Sequence, residues 1–417
     1  MMNIWRVLYH KSSLCLIVLA LSSGCGMWIN DTIEITADDL TASDPFDGSE
    51  VHPLNVVVLG SGNCVKRLDA PLRALASKMD GKSQHEVIRA ADCGMLAMYA
   101  NNTQLAVRGI DRALALSKGA MAGDSEVGKI SAVSGVERNK VFAGEPHEVA
   151  SLYISRGLLY LARGDPENAK ACFDQASLVD AMAEKDESRC NWLTADILAA
   201  LSFRLYNDVR FNDRCEMIRK TYSQVPDKNG WVDESSLANL KAENLTIVVV
   251  AVGSPPVKYG RGKLDYVEGV SRIHSVSVMN SAAWMTDNVY VQAVTRGRRR
   301  MDDILTARQR TRKDAETVGS VALGVAAAAG GLPGLVIQLV AGAIIDNAQK
   351  IDVNADNRHV SAVPGNFYVW AGNDVRPGRE LLIELNNEGQ EVIARGSIVI
   401  PQRQSRTPNV VVAWFPR

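Results

Sequence analysis

The pattern of apolar and polar residues changes near residue 223. Before this point, two stretches repeat the same spacing of small and large side chains over lengths that suit paired helices. After it, short β-branched runs are divided by Gly, Pro and Asn, which is typical of strands joined by turns. The pattern predicts an α+β chain with helical repeats at 54–222, a linker at 223–242 and a β-rich part at 243–417.

The two repeated stretches are "GMLAMYANNTQLAVRGIDRAL", which begins at Gly94, and "GLLYLARGDPENAKACFDQAS", which begins at Gly157. Small residues allow paired helices to approach closely, while a larger side chain fills the space between them, and in this the pattern resembles tetratricopeptide repeats. The residues predicted to pack in this way are Gly94, Ala106, Ile110 and Ala113 in the first copy, and Gly157, Tyr160, Ala169, Phe173 and Ala176 in the second.

A third, weaker pair of helices is predicted in "NWLTADILAALSFRL" and "FNDRCEMIRKTYSQ". Repeats of this kind bury an apolar face only by stacking, and about three of them are needed for stability. The stack leaves a concave groove, which usually binds peptides or partner proteins rather than performing chemistry. We therefore expect an envelope protein or peptide as the partner of this groove.

The β-rich part contains short runs that are predicted as strands of an antiparallel sheet or sandwich. These runs are "LTIVVVAVG", "RIHSVSVM", "VYVQAV", "FYVWAG", "LLIELNN", "VIARGSIVI" and "NVVVAWF". A helical segment at about 301–351 interrupts them.

That segment contains "VALGVAAAAGGLPGLVIQLVAGAII" (321–345), which has no charge in a chain that is 22% charged. Its "GGLPG" breaks a helix, because proline has no backbone N–H and glycine favours turns. Each half would be about 15 to 24 Å long as a helix, which is shorter than a hydrocarbon core of about 30 Å. We expect an Ala/Gly-rich helical hairpin that turns at Pro333, packs closely through 326–329, including Ala327, and docks against the sheet.

The alternative is that residues 319–345 insert shallowly into a membrane or make contact between copies of the chain. Upstream, "RGRRR" (296–300) is followed by two aspartates. This cluster is interpreted as a solvated, ion-paired turn, and the alternative is contact with anionic lipid headgroups.

The first 25 residues have the features of a secretory signal. A basic start precedes the short apolar run "LCLIVLAL", and "SSGC" then leads to Cys25. This ending resembles a bacterial lipobox, which predicts a signal peptide at 1–24 and lipidation of Cys25, with ordinary secretion as the alternative. Residues 25–53 read as an acidic flexible tether. The resemblance implies an outer-membrane lipoprotein that faces the periplasm.

The mature chain would hold five further cysteines: Cys64, Cys93, Cys172, Cys190 and Cys215. An oxidising compartment permits disulfides, but the spacing does not choose among the pairings. Small, buried helix residues are at least as good an interpretation of these cysteines.

Composition argues against several classes of function. The net charge of −1 gives no field that would attract nucleic acid. The six histidines show no zinc-type spacing, and "LNVVVLGSGNCV" has a valine where a dinucleotide-binding loop needs its third glycine. We therefore predict no catalytic residue, no cofactor and no metal site.

The order of these features, with "SAVSG", "VFAGEPHEVASLYISRGLLYLARGDPENAKACF" and "ADNRHVSAVPGNFYVWAG", resembles a largely uncharacterised family of bacterial lipoproteins. In that family, tetratricopeptide-like repeats precede a β-rich half. The resemblance implies a role in envelope assembly or surface export. The resulting hypothesis is a non-catalytic scaffold that holds a partner in its helical groove. The alternative is a membrane-active or self-associating component that uses 319–345.

Overall fold

The structure is a computed structural model. It describes residues 55–58, 70, 72–79, 85–100, 102–122, 142, 144–181, 192–223, 234–242, 245–259, 265–269, 271–295, 300–329, 331–349, 357–373, 375, 378–399 and 409–414. The predicted signal peptide, Cys25, the tether, Cys64 and Cys190 lie outside these residues. Within the described ranges the chain is α+β, as predicted.

The N-terminal part consists of helices that pack in consecutive pairs. The pairs are α1 (Glu86–Tyr99) with α2 (Thr103–Ala122), α3 (Pro146–Ala162) with α4 (Pro166–Asp180), and α5 (Leu193–Leu205) with α6 (Arg210–Ser223). Neighbouring pairs also pack on each other, most extensively α4 on α5.

The helix starts follow from local hydrogen bonds. Asn102 Oδ1 accepts the backbone N–H of Leu105 at 3.1 Å at the start of α2, and Asp165 Oδ1 accepts that of Asn168 at 3.1 Å at the start of α4. Proline is the first residue of both α3 and α4. It is favoured at this position because an N–H there would have no partner within the helix.

The larger sheet has the order β1 to β11 to β2 to β8 to β7. Its strands are β1 (Asn55–Val58), β2 (Thr246–Val252), β7 (Trp284–Asn288), β8 (Asn366–Gly372) and β11 (Asn409–Trp414). Every residue of β2 is buried. Alternate β2 side chains join the core shared with the helices, and the others pack on the second sheet.

The second sheet is antiparallel and has the order β10 to β9 to β5 to β6. Its strands are β5 (Ser275–Val278), β6 (Ser281–Ala282), β9 (Glu380–Asn386) and β10 (Val392–Val399). A separate antiparallel pair is formed by β3 (Val257–Tyr259) and β4 (Asp265–Val267).

The prediction of a purely antiparallel sheet is wrong for the larger sheet. Strand β11 runs parallel to both β1 and β2, whereas β2, β8 and β7 are antiparallel neighbours. Strand β1 lies in the predicted helical part (54–222) but pairs with the last strand of the chain. The predicted boundaries therefore do not separate the sheet from the helical part.

The predicted strand "VYVQAV" is a helix, α8 (Val289–Thr295). Asn288 Oδ1 accepts the backbone N–H of Val291 at 3.1 Å, which is the hydrogen bond of a helix N-cap. Val289 and Ala293, four residues apart, are both buried, as expected for one face of a helix. The cap and this spacing outweigh the β-branched composition.

The predicted linker contains helix α7 (Glu234–Asn239). Leu237 in this helix and Leu240 just after it are fully or almost fully buried in the main core. Asn239 Nδ2 also donates to the carbonyl oxygen of Ala371 in β8 at 3.0 Å. The described part of 223–242 is thus packed against the sheet.

Two long helices, α9 (Arg300–Ala329) and α10 (Gly331–Gln349), interrupt the β-rich part and pack on each other. We call this pair the arm. A Cβ built on Gly319 would lie 2.5 Å from Ile345 Cγ1 and 3.3 Å from the carbonyl oxygen of Ala341, and Ala326 is also buried.

Three predictions about this pair are wrong. No other described helix or strand packs substantially against it, so it is not docked on the sheet. The helices are divided between 329 and 331, and Pro333 lies in the first turn of α10, where its missing N–H is tolerated. Ala327 is exposed, although its neighbour Ala326, in the same predicted stretch, is buried.

Candidate functional site

The residues predicted to pack in the repeats lie between paired helices. A Cβ on Gly94 would lie 2.6 Å from the backbone N of Ile110, and one on Gly157 would lie 2.4 Å from Phe173 Cε1. The remaining apolar members are fully buried: Ala106, Ile110, Ala113, Ala169, Phe173 and Ala176. Tyr160 is half-buried, with the Arg156 guanidinium 3.8 Å from its ring centroid.

Sequence reasoning missed Gly109. A Cβ on this residue would lie 2.5 Å from the backbone N and 2.6 Å from the Cα of Gly94. The two helices therefore meet backbone to backbone at these glycines. In the alignment of the two stretches Gly109 matches Cys172, so the repeat pattern itself carried no signal for it.

Cys172 and Cys215 are free thiols, and Cys93 is buried in α1. Burial raises the pKa of Cys172 to about 11 and also raises the pKa of Cys215. Because the thiolate is the reactive form, both thiols are poor nucleophiles at neutral pH. Cys93 and Cys215 fit the prediction of small, buried helix positions, whereas Cys172 is only partly buried.

The helical part holds residues 357–363, which follow the arm. We call them the anchored segment. Asp92 Oδ1 in α1 accepts the backbone N–H groups of Ser361 and Ala362, both at 2.8 Å, and Asp92 Oδ2 accepts the Ser361 hydroxyl at 3.0 Å. The Tyr99 hydroxyl donates to the carbonyl oxygen of Ala362 at 2.8 Å. Val360 is buried beside these groups.

Helix α3 holds the same segment through Glu148. Glu148 Oε1 accepts the backbone N–H of Val360 at 2.9 Å, and Oε2 accepts that of Glu145 at 2.7 Å. Lys258 Nζ donates to the carbonyl oxygen of Arg358 at 2.7 Å and lies 3.4 and 3.5 Å from the carboxylates of Glu145 and Glu148. The two buried carboxylates therefore share one buried ammonium group.

The chain before the arm is anchored as well. Asp287, at the end of β7, is fully buried and accepts the backbone N–H groups of Leu193 and Thr194 at 3.3 and 2.7 Å. It also accepts Gln292 Nε2 at 3.1 Å and hydrogen-bonds to the Thr194 hydroxyl. An acidic side chain thus caps the start of α5 from the β-rich part, where the helix dipole favours negative charge.

Helix α5 itself contains another buried carboxyl group, that of Asp196. Desolvation raises its pKa to about 6, although the Arg214 guanidinium, 2.6 Å from Oδ1, acts in the opposite direction. The Tyr222 hydroxyl donates to Oδ2 at 3.3 Å, and burial raises the pKa of Tyr222 well above its usual value. These groups hold α5 and α6 together.

These contacts bear on the predicted partner groove. The side of α1 and α3 that carries Asp92, Tyr99 and Glu148 is covered by the anchored segment of the chain itself. A partner that used these groups would first have to displace that segment. The chain is also hydrogen-bonded to the helical part on both sides of the arm, at Asp287 before it and at 360–362 after it.

A cleft of about 380 Å³ lies where α7, the end of β8 and the turn between β5 and β6 meet. Trp370 and Arg379 line it together with serine and asparagine side chains. Within the described ranges, no group of three or more His, Cys, Asp or Glu side chains is placed to hold a metal ion.

Comparison with known proteins gives no match, whether to a family model, to a curated protein or to a solved structure. Among the helices that the structure describes, none is both long enough and apolar enough to cross a membrane.

Proposed function

We propose that this chain is a non-catalytic outer-membrane lipoprotein, acylated at Cys25, that takes part in an envelope assembly and makes its main intermolecular contact through the arm. The observation that carries this proposal is the surface of the arm. Val318, Val321 and Val325 of α9 are 57%, 63% and 53% exposed, and Leu339 and Val340 of α10 are 68% and 55% exposed. A cluster of exposed apolar residues of this kind marks an interaction site.

The anchoring of the arm supports the same proposal. The helical part fixes the chain before and after the arm through buried, charge-assisted hydrogen bonds. Under this proposal, the paired helices form a rigid platform from which the helical hairpin projects. Their tetratricopeptide-like packing then serves mainly to hold the chain's own segments.

The second candidate is the scaffold that binds an envelope protein through the helical pairs. It is favoured by the close packing of these pairs at Gly94 and Gly157. It is also favoured by exposed apolar residues of the helical part, of which Leu178 in α4 is 59% exposed and Met217 in α6 is 40% exposed. A partner of this surface would leave the anchored segment in place.

Site-specific photo-crosslinking in cells separates the two candidates. A photoreactive amino acid is placed in the full chain at Val321 or Leu339 in the arm, and at Leu178 or Met217 in the helical part. We expect crosslinks to protein or lipid from the arm positions and few from the helical ones. Crosslinks to a protein from the helical positions alone would favour the scaffold instead.

The lipid anchor is tested separately. Replacing Cys25 with Ser removes the thiol that would be acylated, so a labelled fatty acid should no longer be incorporated and the chain should leave the membrane fraction. The same change at Cys215, a buried thiol in α6, serves as the control and should leave labelling intact. Labelling that persists after Cys25→Ser would contradict the anchor.

A further inference from the structure

The part of the arm around the break between α9 and α10 has no charged residue. From 317 to 345, across the end of α9, the break and most of α10, the sequence contains no Asp, Glu, Lys or Arg. We call these residues the tip. The chain as a whole is 22% charged, so it is notable that both helices lack charge at the same end of the arm.

The apolar exposure of the tip is not confined to one face. On α9, Val318 and Val325 are separated by about two turns and share a side, whereas Ala327 is exposed on another side. On α10, Leu339 and Val340 are both exposed although they are about 100° apart around the helix. A single docked protein would cover one side, whereas a lipid phase surrounds a pair of helices completely.

The length of the tip suits insertion that does not cross the bilayer. The part of α9 from 317 to 329 is about 20 Å long, which exceeds half the thickness of a hydrocarbon core of about 30 Å but does not cross it. Proline at 333 also leaves one fewer unpaired N–H at the start of α10, which reduces the cost of removing this helix end from water.

The charge of the arm changes sharply below the tip. The arm itself contains five Arg or Lys and five Asp or Glu, and an excess of four positive charges appears only when 296–299 before it and Lys350 after it are included. Four of the basic residues lie between 308 and 313, about 6 to 14 Å along the axis from the start of the tip. Two acidic residues, Asp314 and Glu316, lie in the same stretch, and Glu316 is paired with Arg312 at 2.9 Å, so 308–316 has a net charge of +2.

We infer that the tip inserts into an anionic lipid surface, with the basic side chains at 308–313 at the level of the headgroups. Two independent features, apolar exposure around both helices and an excess of basic residues next to it on α9, coincide along the arm. Basic residues next to an apolar membrane-binding segment attract anionic lipid. This inference rests on the proposed function, for which it names the surface that the arm contacts.

Vesicle binding tests the inference. The full chain with Cys25→Ser, which carries no acyl group, is sedimented with phosphatidylcholine vesicles that do or do not contain one quarter phosphatidylglycerol. We expect binding to the anionic vesicles that weakens as salt is raised, and much weaker binding to the neutral ones. A tryptophan at Val325 should show a blue-shifted emission only with the anionic vesicles.

Matched variants show whether the tip is responsible. Val321→Asp together with Leu339→Asp should weaken binding at least about tenfold, because a charge within the hydrocarbon region is unfavourable. Val209→Asp places the same charge at a valine that is 85% exposed in the helical part, and it should bind like the parent chain. Equal binding by all three proteins would overturn the inference.

Self-association is measured on the same proteins by sedimentation velocity without lipid. If the parent chain forms an oligomer that the double arm variant abolishes, and vesicles are not bound, a second copy covers the tip. That result would overturn lipid insertion but retain the arm as the contact. If the arm substitutions change neither vesicle binding, nor oligomeric state, nor crosslinking in cells, the proposed function fails as well.

Discussion

Gly109→Ala is expected to lower the free energy of unfolding by about 2 kcal/mol or more. The added Cβ would lie 2.5 Å from the backbone N of Gly94 and 2.8 Å from the carbonyl oxygen of Ala90, and backbone atoms cannot rotate away as a side chain can. Helices α1 and α2 must then separate. Overpacking typically costs about 1–3 kcal/mol and sometimes more, which exceeds the gain of about 1 kcal/mol in helix propensity.

Gly324→Ala provides the matched control. It is also a glycine-to-alanine change within a helix, but a Cβ on Gly324 would meet no atom within 4 Å. Only the propensity gain remains, so this variant should be up to about 1 kcal/mol more stable than the parent. Urea unfolding followed by circular dichroism measures both changes. If the two variants have equal stability, the result contradicts the close backbone contact between α1 and α2 at Gly109.

This pair of glycines illustrates what the sequence could predict. The repeated spacing located Gly94 and Ile110 in one helix pair, and Gly157 and Phe173 in the other, because a repeat exposes positions with the same role. Gly109 has no glycine counterpart in the second copy and carried no such signal. The helices themselves were predictable from local patterns, whereas the closest contact between them was not.

Contacts between distant parts of the chain were the main source of error. The parallel pairing of β1 with β11 joins residues near 55 and near 411, and neither strand shows in its own sequence which neighbour it will have. The docking of the arm was predicted from its small residues. These residues pack α9 against α10, for example at Gly319, and this contact needs no sheet. The composition correctly indicated that these helices pack closely, but it did not show that they pack on each other rather than on the sheet.

The anchored segment shows the same limit for polar groups. Its sequence, within "ADNRHVSAVPGNF", is a recognisable motif, but three of its hydrogen-bond partners, Asp92, Tyr99 and Glu148, lie in helices more than 200 residues earlier. Asp92 and Glu148 are ordinary acidic residues of amphipathic helices when considered alone. They become important because folding places buried, otherwise unpaired backbone N–H groups beside them.

Asp92→Ala is therefore expected to destabilise the chain by about 3 kcal/mol and to release the anchored segment. The substitution removes the acceptor of the Ser361 and Ala362 backbone N–H groups and of the Ser361 hydroxyl. Each buried donor that loses its partner costs about 1–3 kcal/mol, and part of this cost is recovered if the segment detaches and reaches water. Hydrogen exchange at these two amides should accelerate while exchange within α4 stays slow.

Asp92→Asn distinguishes the loss of the hydrogen bonds from the loss of the charge. The two backbone N–H groups both bond to Oδ1, and an asparagine carbonyl oxygen can still accept them. This variant should therefore lose less stability than Asp92→Ala, by about 1 kcal/mol or more, and should keep the two amides partly protected. If the alanine variant shows the stability and the amide protection of the parent chain, Asp92 does not hold the segment. If both variants release it equally, the charge rather than the hydrogen-bond geometry fixes the chain at the base of the arm.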